Sequence, residues 1–166
     1  GRTVIHEACD HGHLESLLVI IQAFKKKAIA DKCMHRLHGF LVNILNEAET
    51  ATGYTPLHLA VQSEHERIAK YLALSCEVEV DKKDVNNGNT ALHMAVELKN
   101  SHICDILIRM GKANIQAKNS KRVTCKKLGE KIGMVISCHD ETKRHFSLST
   151  LKRSTKVLFR SHHSGS

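Results

Sequence analysis

His6-Glu7-Ala8-Cys9-Asp10-His11 gathers the residue types that hold metals and move protons. In a zinc-protease helix, H-E-x-x-H, the two histidines stand four apart so that both imidazoles leave one face. His6 and His11 are five apart, about 140° round a helix of 3.6 residues per turn, which argues against a catalytic zinc. Cys9, His11 and His13, or Cys125, Cys138 and His139, could supply a structural zinc site. Neither set has the C-x-x-C or closely spaced histidine pair of a zinc finger, so buried thiols and turn histidines are expected instead. No glycine-rich loop is present to cradle a phosphate, and no Ser or Cys stands in a known nucleophile setting. The chain is expected to be no enzyme, with no cofactor and no metal.

These residues belong to a larger pattern. Gly53-Tyr54-Thr55-Pro56-Leu57-His58-Leu59-Ala60 returns as Gly88-Asn89-Thr90-Ala91-Leu92-His93-Met94-Ala95, and earlier as Gly1-Arg2-Thr3-Val4-Ile5-His6-Glu7-Ala8. Thr55 suits a helix N-cap and Pro56 the first helical position, where its missing N–H costs nothing. His58 then occupies the place that a capping box gives to Glu or Gln. Thr3, His6, Thr90 and His93 repeat the arrangement, and Ala8, Ala60 and Ala95 share the register where neighbouring helices must approach closely. The T-P-L-H-x-A core at a fixed period resembles the ankyrin-repeat signature. That resemblance implies an all-α solenoid of helix-turn-helix repeats joined by short finger loops, which functions by binding proteins.

The repeats are assigned as follows. Repeat one covers residues 1–30, with helices from Thr3 to about Asp10 and from Leu14 to Gln22. Thr3 and Thr55 are 52 residues apart, where one period is about 33. The surplus is helical in pattern, since Met34, Leu37, Leu41, Ile44 and Leu45 step by three and four, with Phe40 beside them. An added amphipathic helix is expected over 31–45, capped by Asp31 and joined through the exposed run Lys25-Lys26-Lys27. Repeat two covers 47–82, its second helix running from Glu66 to Leu74, and repeat three covers 84–117. Ile103, Ile106 and Leu107 fall on Ile68, Tyr71 and Leu72, and Gly111 is placed as a helix C-cap. A worn capping repeat is assigned to 119–139, where Arg122 replaces the Gly, Cys125 the Pro, Lys126 the Leu and Lys127 the His. Residues 140–166 are expected to form a disordered tail or a weak helix, with Leu148, Leu151, Val157, Leu158 and Phe159 as its main apolar residues.

Composition narrows the setting. Six scattered cysteines suit a reducing compartment better than a disulfide framework. No signal peptide is visible, and the longest aliphatic run, Leu17-Leu18-Val19-Ile20-Ile21, is far short of a membrane span. An intracellular protein is expected. Net charge is +8, but residues 1–115 hold 13 Lys/Arg against 14 Asp/Glu, while 116–166 hold 12 against three. The positive charge therefore belongs to the C-terminal third, where it could solvate a tail or meet nucleic acid, an anionic membrane or an acidic protein.

A lengthened first repeat before an intact second one resembles the inhibitors of Rel/NF-kappa-B transcription factors. The short chain and the start Thr3-Val4-Ile5-His6-Glu7 are more similar still to the I-kappa-B-like ankyrin proteins of polydnaviruses. The resemblance implies suppression of host immune signalling by binding Rel proteins, in the host cytoplasm or nucleus. Cellular inhibitors carry a D-S-G-x-x-S degron and an acidic C-terminal segment. Here no Asp precedes Ser and the C-terminal segment is basic, which implies an inhibitor that signalling would not release. Rel proteins carry a basic nuclear-localisation segment, so carboxylates on the finger loops are expected to face the partner: Glu47 and Glu49 before repeat two, Asp81 and Asp84 before repeat three. A generic adaptor for another host protein is the competing expectation.

Overall fold

The computed structural model describes residues 1–30, 34–134 and 136. Among them are eight α-helices: α1 Val4–Asp10, α2 Leu14–Ala30, α3 Met34–Asn46, α4 Pro56–Gln62, α5 Glu66–Leu74, α6 Ala91–Glu97, α7 Ser101–Arg109 and α8 Cys125–Ile132. Extended pairing among the described residues is confined to the single bridges Lys83 to Thr90 and Lys118 to Thr124. Helices α1, α4, α6 and α8 stack in one row. In the second row α5 packs on α7, while α2 packs on α1 and α3. None of these helices is long and apolar enough to cross a membrane.

Each helix of the first row starts where its threonine dictates. Thr3, Thr55, Thr90 and Thr124 are extended N-caps, and the first three form capping boxes with the histidine three residues on. The helices they start are only seven or eight residues long, too short to persist alone, so packing must hold them. Leu57, Leu92, Ile68, Leu72, Ile103 and Leu107 are essentially without solvent exposure, and each full burial contributes about 1.5–3 kcal/mol. Ala60 and Ala95 are fully buried between stacked helices, where a larger side chain would force the row apart.

The turn between paired helices needs one residue with left-handed backbone. Gly12, Glu64 and Lys99 occupy that place, with φ of 77°, 56° and 58°, and Gly133 takes the equivalent position after α8 with φ 76°. Glycine adopts this region freely, whereas Glu64 and Lys99 hold it against steric cost. The backbone, not the residue type, is what repeats.

Several elements differ from the sequence reading. Helix α2 does not stop at Gln22 but continues through Lys25, Lys26 and Lys27 to Ala30, because three solvated lysines are good helix formers and need no loop. The added helix is present as Met34–Asn46, with Leu37, Leu41 and Leu45 buried and Ile44 half-buried. Phe40 is 42% exposed and packs edge-on against Phe24, with ring centroids 4.8 Å apart. Asp31, placed as its cap, lies outside the described residues, as does the side chain of Met34. Gly111 is not a left-handed cap; the positive φ falls on Lys112. Gly111 is needed instead for close approach, since a Cβ there would sit 2.8 Å from the Leu107 carbonyl oxygen and 3.3 Å from Ala73 Cβ. The tail assigned to 140–166 lies outside the described residues.

Candidate protein-binding surface

Three histidines bind one repeat to the next. His6, His58 and His93 are buried, and the backbone N–H groups of Thr3, Thr55 and Thr90 donate to their Nδ1 atoms at 3.1, 3.3 and 3.2 Å. The opposite nitrogens, Nε2, reach the carbonyls of Glu47, Asn89 and Val123 at 3.0, 3.2 and 3.1 Å. A carbonyl only accepts, so Nε2 carries the proton and Nδ1 accepts. Burial pushes His58 and His93 below the usual histidine value, because a charged ring would lose its solvation and face a second donor. These imidazoles are fully engaged, with no lone pair left for a metal or substrate.

The second and third fingers are built by a buried carboxylate six residues before the cap threonine. In the third finger Asp84 Oδ1 accepts from the N–H of Asn87 at 2.5 Å and of Gly88 at 3.1 Å, and Oδ2 from that of Asn89 at 3.3 Å. In the second finger Glu49 accepts from the Thr52 hydroxyl and from Arg2 Nε, the latter at 2.6 Å. In the fourth, one residue shorter, Asn119 Oδ1 accepts from the N–H groups of Lys121 and Val123. Successive fingers join through Val85 N–H to the Thr52 carbonyl and Ser120 N–H to that of Asn87. Gly53 allows the first of these approaches: its φ is 72°, and a Cβ would sit 2.6 Å from the Val85 nitrogen. Arg122 takes the equivalent backbone, φ 58°, where no further finger follows among the described residues.

Arg2 ties the first repeat to the second. It pairs with Glu49 at 2.6 Å and Asp10 at 2.9 Å, and Asp10 also accepts from the Ser63 hydroxyl at 2.7 Å. The Ser63 hydrogen bond, with Arg2 beside it, holds the Asp10 carboxyl below its ordinary value. Burial acts to raise Glu49, but the bonds from Thr52 and Arg2 outweigh it and leave this group lowered too.

Of the four carboxylates expected to face a partner, Glu49 and Asp84 are therefore buried, Asp84 engaged by its own loop and Glu49 by its loop and by Arg2. Glu47 and Asp81 are exposed, although Asp81 also accepts from the Asn114 N–H at 2.9 Å. Glu47 stands where two clefts meet. One, of about 200 Å³, runs between α1, α2 and α3 and is lined by Val4, Ile5, Ile20, Phe24 and Ile44. The other, of about 390 Å³, lies between the end of α3 and the strand of loop before the third finger. Asn43, Asn46, Glu47 and Glu79 give it polar walls, with Lys82 at its rim. Sequence reasoning missed Asn46 and Glu79. Buried Asn46 donates to the carbonyls of Val42 and Glu77, at 2.7 and 2.5 Å, and accepts from the Glu79 N–H at 2.6 Å. An asparagine closing an otherwise apolar helix face was the available signal.

Burial raises the Cys9 and Cys104 thiols to about 12 and Cys125 to about 11, which keeps them protonated and poorly nucleophilic. Among the described residues no three His, Cys, Asp or Glu side chains are grouped to hold a metal ion. Cys138 and His139 lie outside them. What the surface offers is loops and clefts, which suit recognition of another chain.

Comparisons with known proteins agree with this architecture. The sequence pattern of ankyrin repeats, in three copies, matches residues 20–119. The chain is 27% identical over 122 residues to I-Kappa-B like protein N1 of Microplitis demolitor bracovirus, covering 72% of this chain and 78% of the viral one. It is 28% identical over 125 residues to protein fem-1 homolog A of Rattus norvegicus, covering 68% of this chain but only 19% of that protein. A chain of the crystal structure of the yeast ribosomal protein Rps3 with its chaperone Yar1 shares the fold, with a TM-score of 0.56 at 20% identity. It is matched over 78% of this chain and 82% of its own. By its repeats, its caps and its stacked helices, this chain belongs to the ankyrin-repeat family.

Proposed function

We propose that the chain is a protein-binding inhibitor that holds Rel/NF-kappa-B transcription factors inactive and so suppresses host immune signalling. The observation that carries this reading is the similarity to I-Kappa-B like protein N1, which extends over most of both chains. The local chemistry supports it. The two clefts at the junction of repeats one and two pair an apolar lining with the carboxylates of Glu47 and Glu79. A basic nuclear-localisation segment with apolar side chains would find counter-charges and a greasy wall there, and exposed Asp81 extends the acidic side. Glu49 and Asp84 shape the fingers behind this surface and are not offered to the partner.

The test is affinity capture from immune-stimulated insect cells with the full chain and with Glu47→Lys/Glu79→Lys/Asp81→Lys, alongside a kappa-B reporter. Capture of Rel by the wild type, repression of the reporter, and loss of both in the variant support the reading. Absence of Rel from the wild-type capture would overturn it. The likeness to fem-1 homolog A favours a second reading, an adaptor for a different host protein, which recovery of one such partner without Rel would support.

A further inference from the structure

The far end of the stack carries a surface of opposite character. Helix α8 repeats α4 and α6 in register, but Lys126, Lys127 and Glu130 stand where α6 buries Leu92, His93 and Val96. Among the described residues, the face that internal repeats cover is therefore open at this end. A terminal repeat needs polarity there, but polarity of either sign would serve. Instead the charge is almost wholly positive: Lys131 follows on the helix, and Lys118, Lys121 and Arg122 lie on the adjoining fourth finger, all exposed. Glu130 is the one acid between residues 118 and 131, and none of the six cations makes an ion pair among the described residues. On the same helix and just after it, Leu128, Ile132 and Ile136 are half-buried against the core and leave part of their aliphatic surface in solvent. Ile136 folds back on Gly129, where a Cβ would meet its Cδ1 at 2.7 Å.

We infer that this end face is a second docking surface, for an acidic segment of a protein partner that carries apolar side chains among its carboxylates. Charge complementarity sets the sign of the occupant. The half-buried aliphatic side chains favour a polypeptide over a nucleic acid, since phosphates gain nothing from them. No aromatic residue lies between 112 and 136 to stack a base. Residues 137–166 are themselves basic, so like charge opposes their covering the face. The inference does not rest on Rel binding, which concerns the other end of the stack.

The experiment uses the full chain and the variant Lys121→Gln/Lys126→Gln/Lys127→Gln/Lys131→Gln, with matched thermal melts as the folding control. Fluorescence anisotropy follows three labelled probes at one salt concentration: a peptide of repeating Glu-Glu-Leu units, an all-Glu peptide of equal length, and a DNA duplex. Tightest binding to the Glu-Glu-Leu peptide, weakened at least about tenfold in the variant with a flatter salt dependence, is the expected result. A second variant, Lys152→Gln/Arg153→Gln/Lys156→Gln, should leave that affinity unchanged. Equal affinity for the two peptides, tighter binding of the duplex, or loss through the second variant alone would overturn the inference. So would an unchanged affinity in the first variant.

Discussion

Between repeats two and three, α5 lies on α7, and His58 reaches the carbonyl beside the next cap threonine. Between repeats one and two the arrangement changes. Helix α2 pairs with α3 instead, and His6 reaches Glu47 at the end of the inserted helix. Arg2, Asp10, Ser63 and Glu49 add a charged network across the joint. The regular joint is sealed by stacked apolar faces. At the irregular joint α1 still stacks on α4, but polar ties cross its rim and two clefts open beside the inserted helix. An insertion thus opens clefts at what is elsewhere a packing interface.

The most damaging test of that contrast removes the insertion's anchor. Leu41 is 2% exposed at the centre of α3, so Leu41→Ala should destabilise the protein by about 2–5 kcal/mol in denaturant melts, as a core leucine would. A loss below about 0.5 kcal/mol would make α3 an appendage and not part of the stack.

At the regular joint, His58→Ala should lower stability by about 1–3 kcal/mol, since it leaves the Thr55 N–H without a partner and removes one of the two donors to Asn89 O. The same histidines set a pH dependence. His58 and His93 have folded values below the usual one, so their contribution is complete above about pH 6.5 and falls as pH drops toward the folded values. The slope is about 1.4 kcal/mol per pH unit for each group in that window, readable from melts between neutral and mildly acidic pH.

At the irregular joint, Arg2→Ala should cost about 1–2 kcal/mol by leaving Glu49 buried without its cation. Asp10 and Glu49 are both lowered, so their stabilisation is present above the ordinary carboxylate values near 4 and lost as pH falls through the folded ones. Melts of the Arg2 variant should show a shallower acid transition than the wild type. The two joints are thus expected to weaken in two separate pH windows.

The smallest effect should be a gain. Lys99 holds a left-handed turn that Gly12 occupies in repeat one, and Lys99→Gly should raise stability by about 0.5–1 kcal/mol once glycine's added chain entropy is offset. Unchanged or lower melting would show that the turn carries no strain.

These contrasts mark how far the sequence could be read. Thr55, Pro56 and His58 are a local device, since cap, first turn and capping partner lie within four residues, and the period then places the whole row. The helix Glu66–Leu74 is legible to its ends from the period alone, since His65 gives it no side-chain cap. Lys25-Lys26-Lys27 was misread because a solvated helical turn and an exposed link have the same composition. Glu49 and Asp84 look like free loop carboxylates until their shared place, six residues before Thr55 and Thr90, is matched to the backbone N–H groups they accept. Asn46 and Glu79 meet from 33 residues apart, and no local pattern announces that contact.

Capture of Rel at the acidic, cleft-bearing joint between repeats one and two is the proposal on which these contrasts bear. Surface plasmon resonance with an immobilised Rel protein that retains its basic nuclear-localisation segment reads that capture. The full chain should bind with an association rate that falls as salt rises. Glu47→Lys/Glu79→Lys/Asp81→Lys should slow association by about tenfold or more and abolish that salt dependence, with melting unchanged. Equal association rates for the two proteins, or binding that the Lys121→Gln/Lys126→Gln/Lys127→Gln/Lys131→Gln variant alone removes, would contradict the claim.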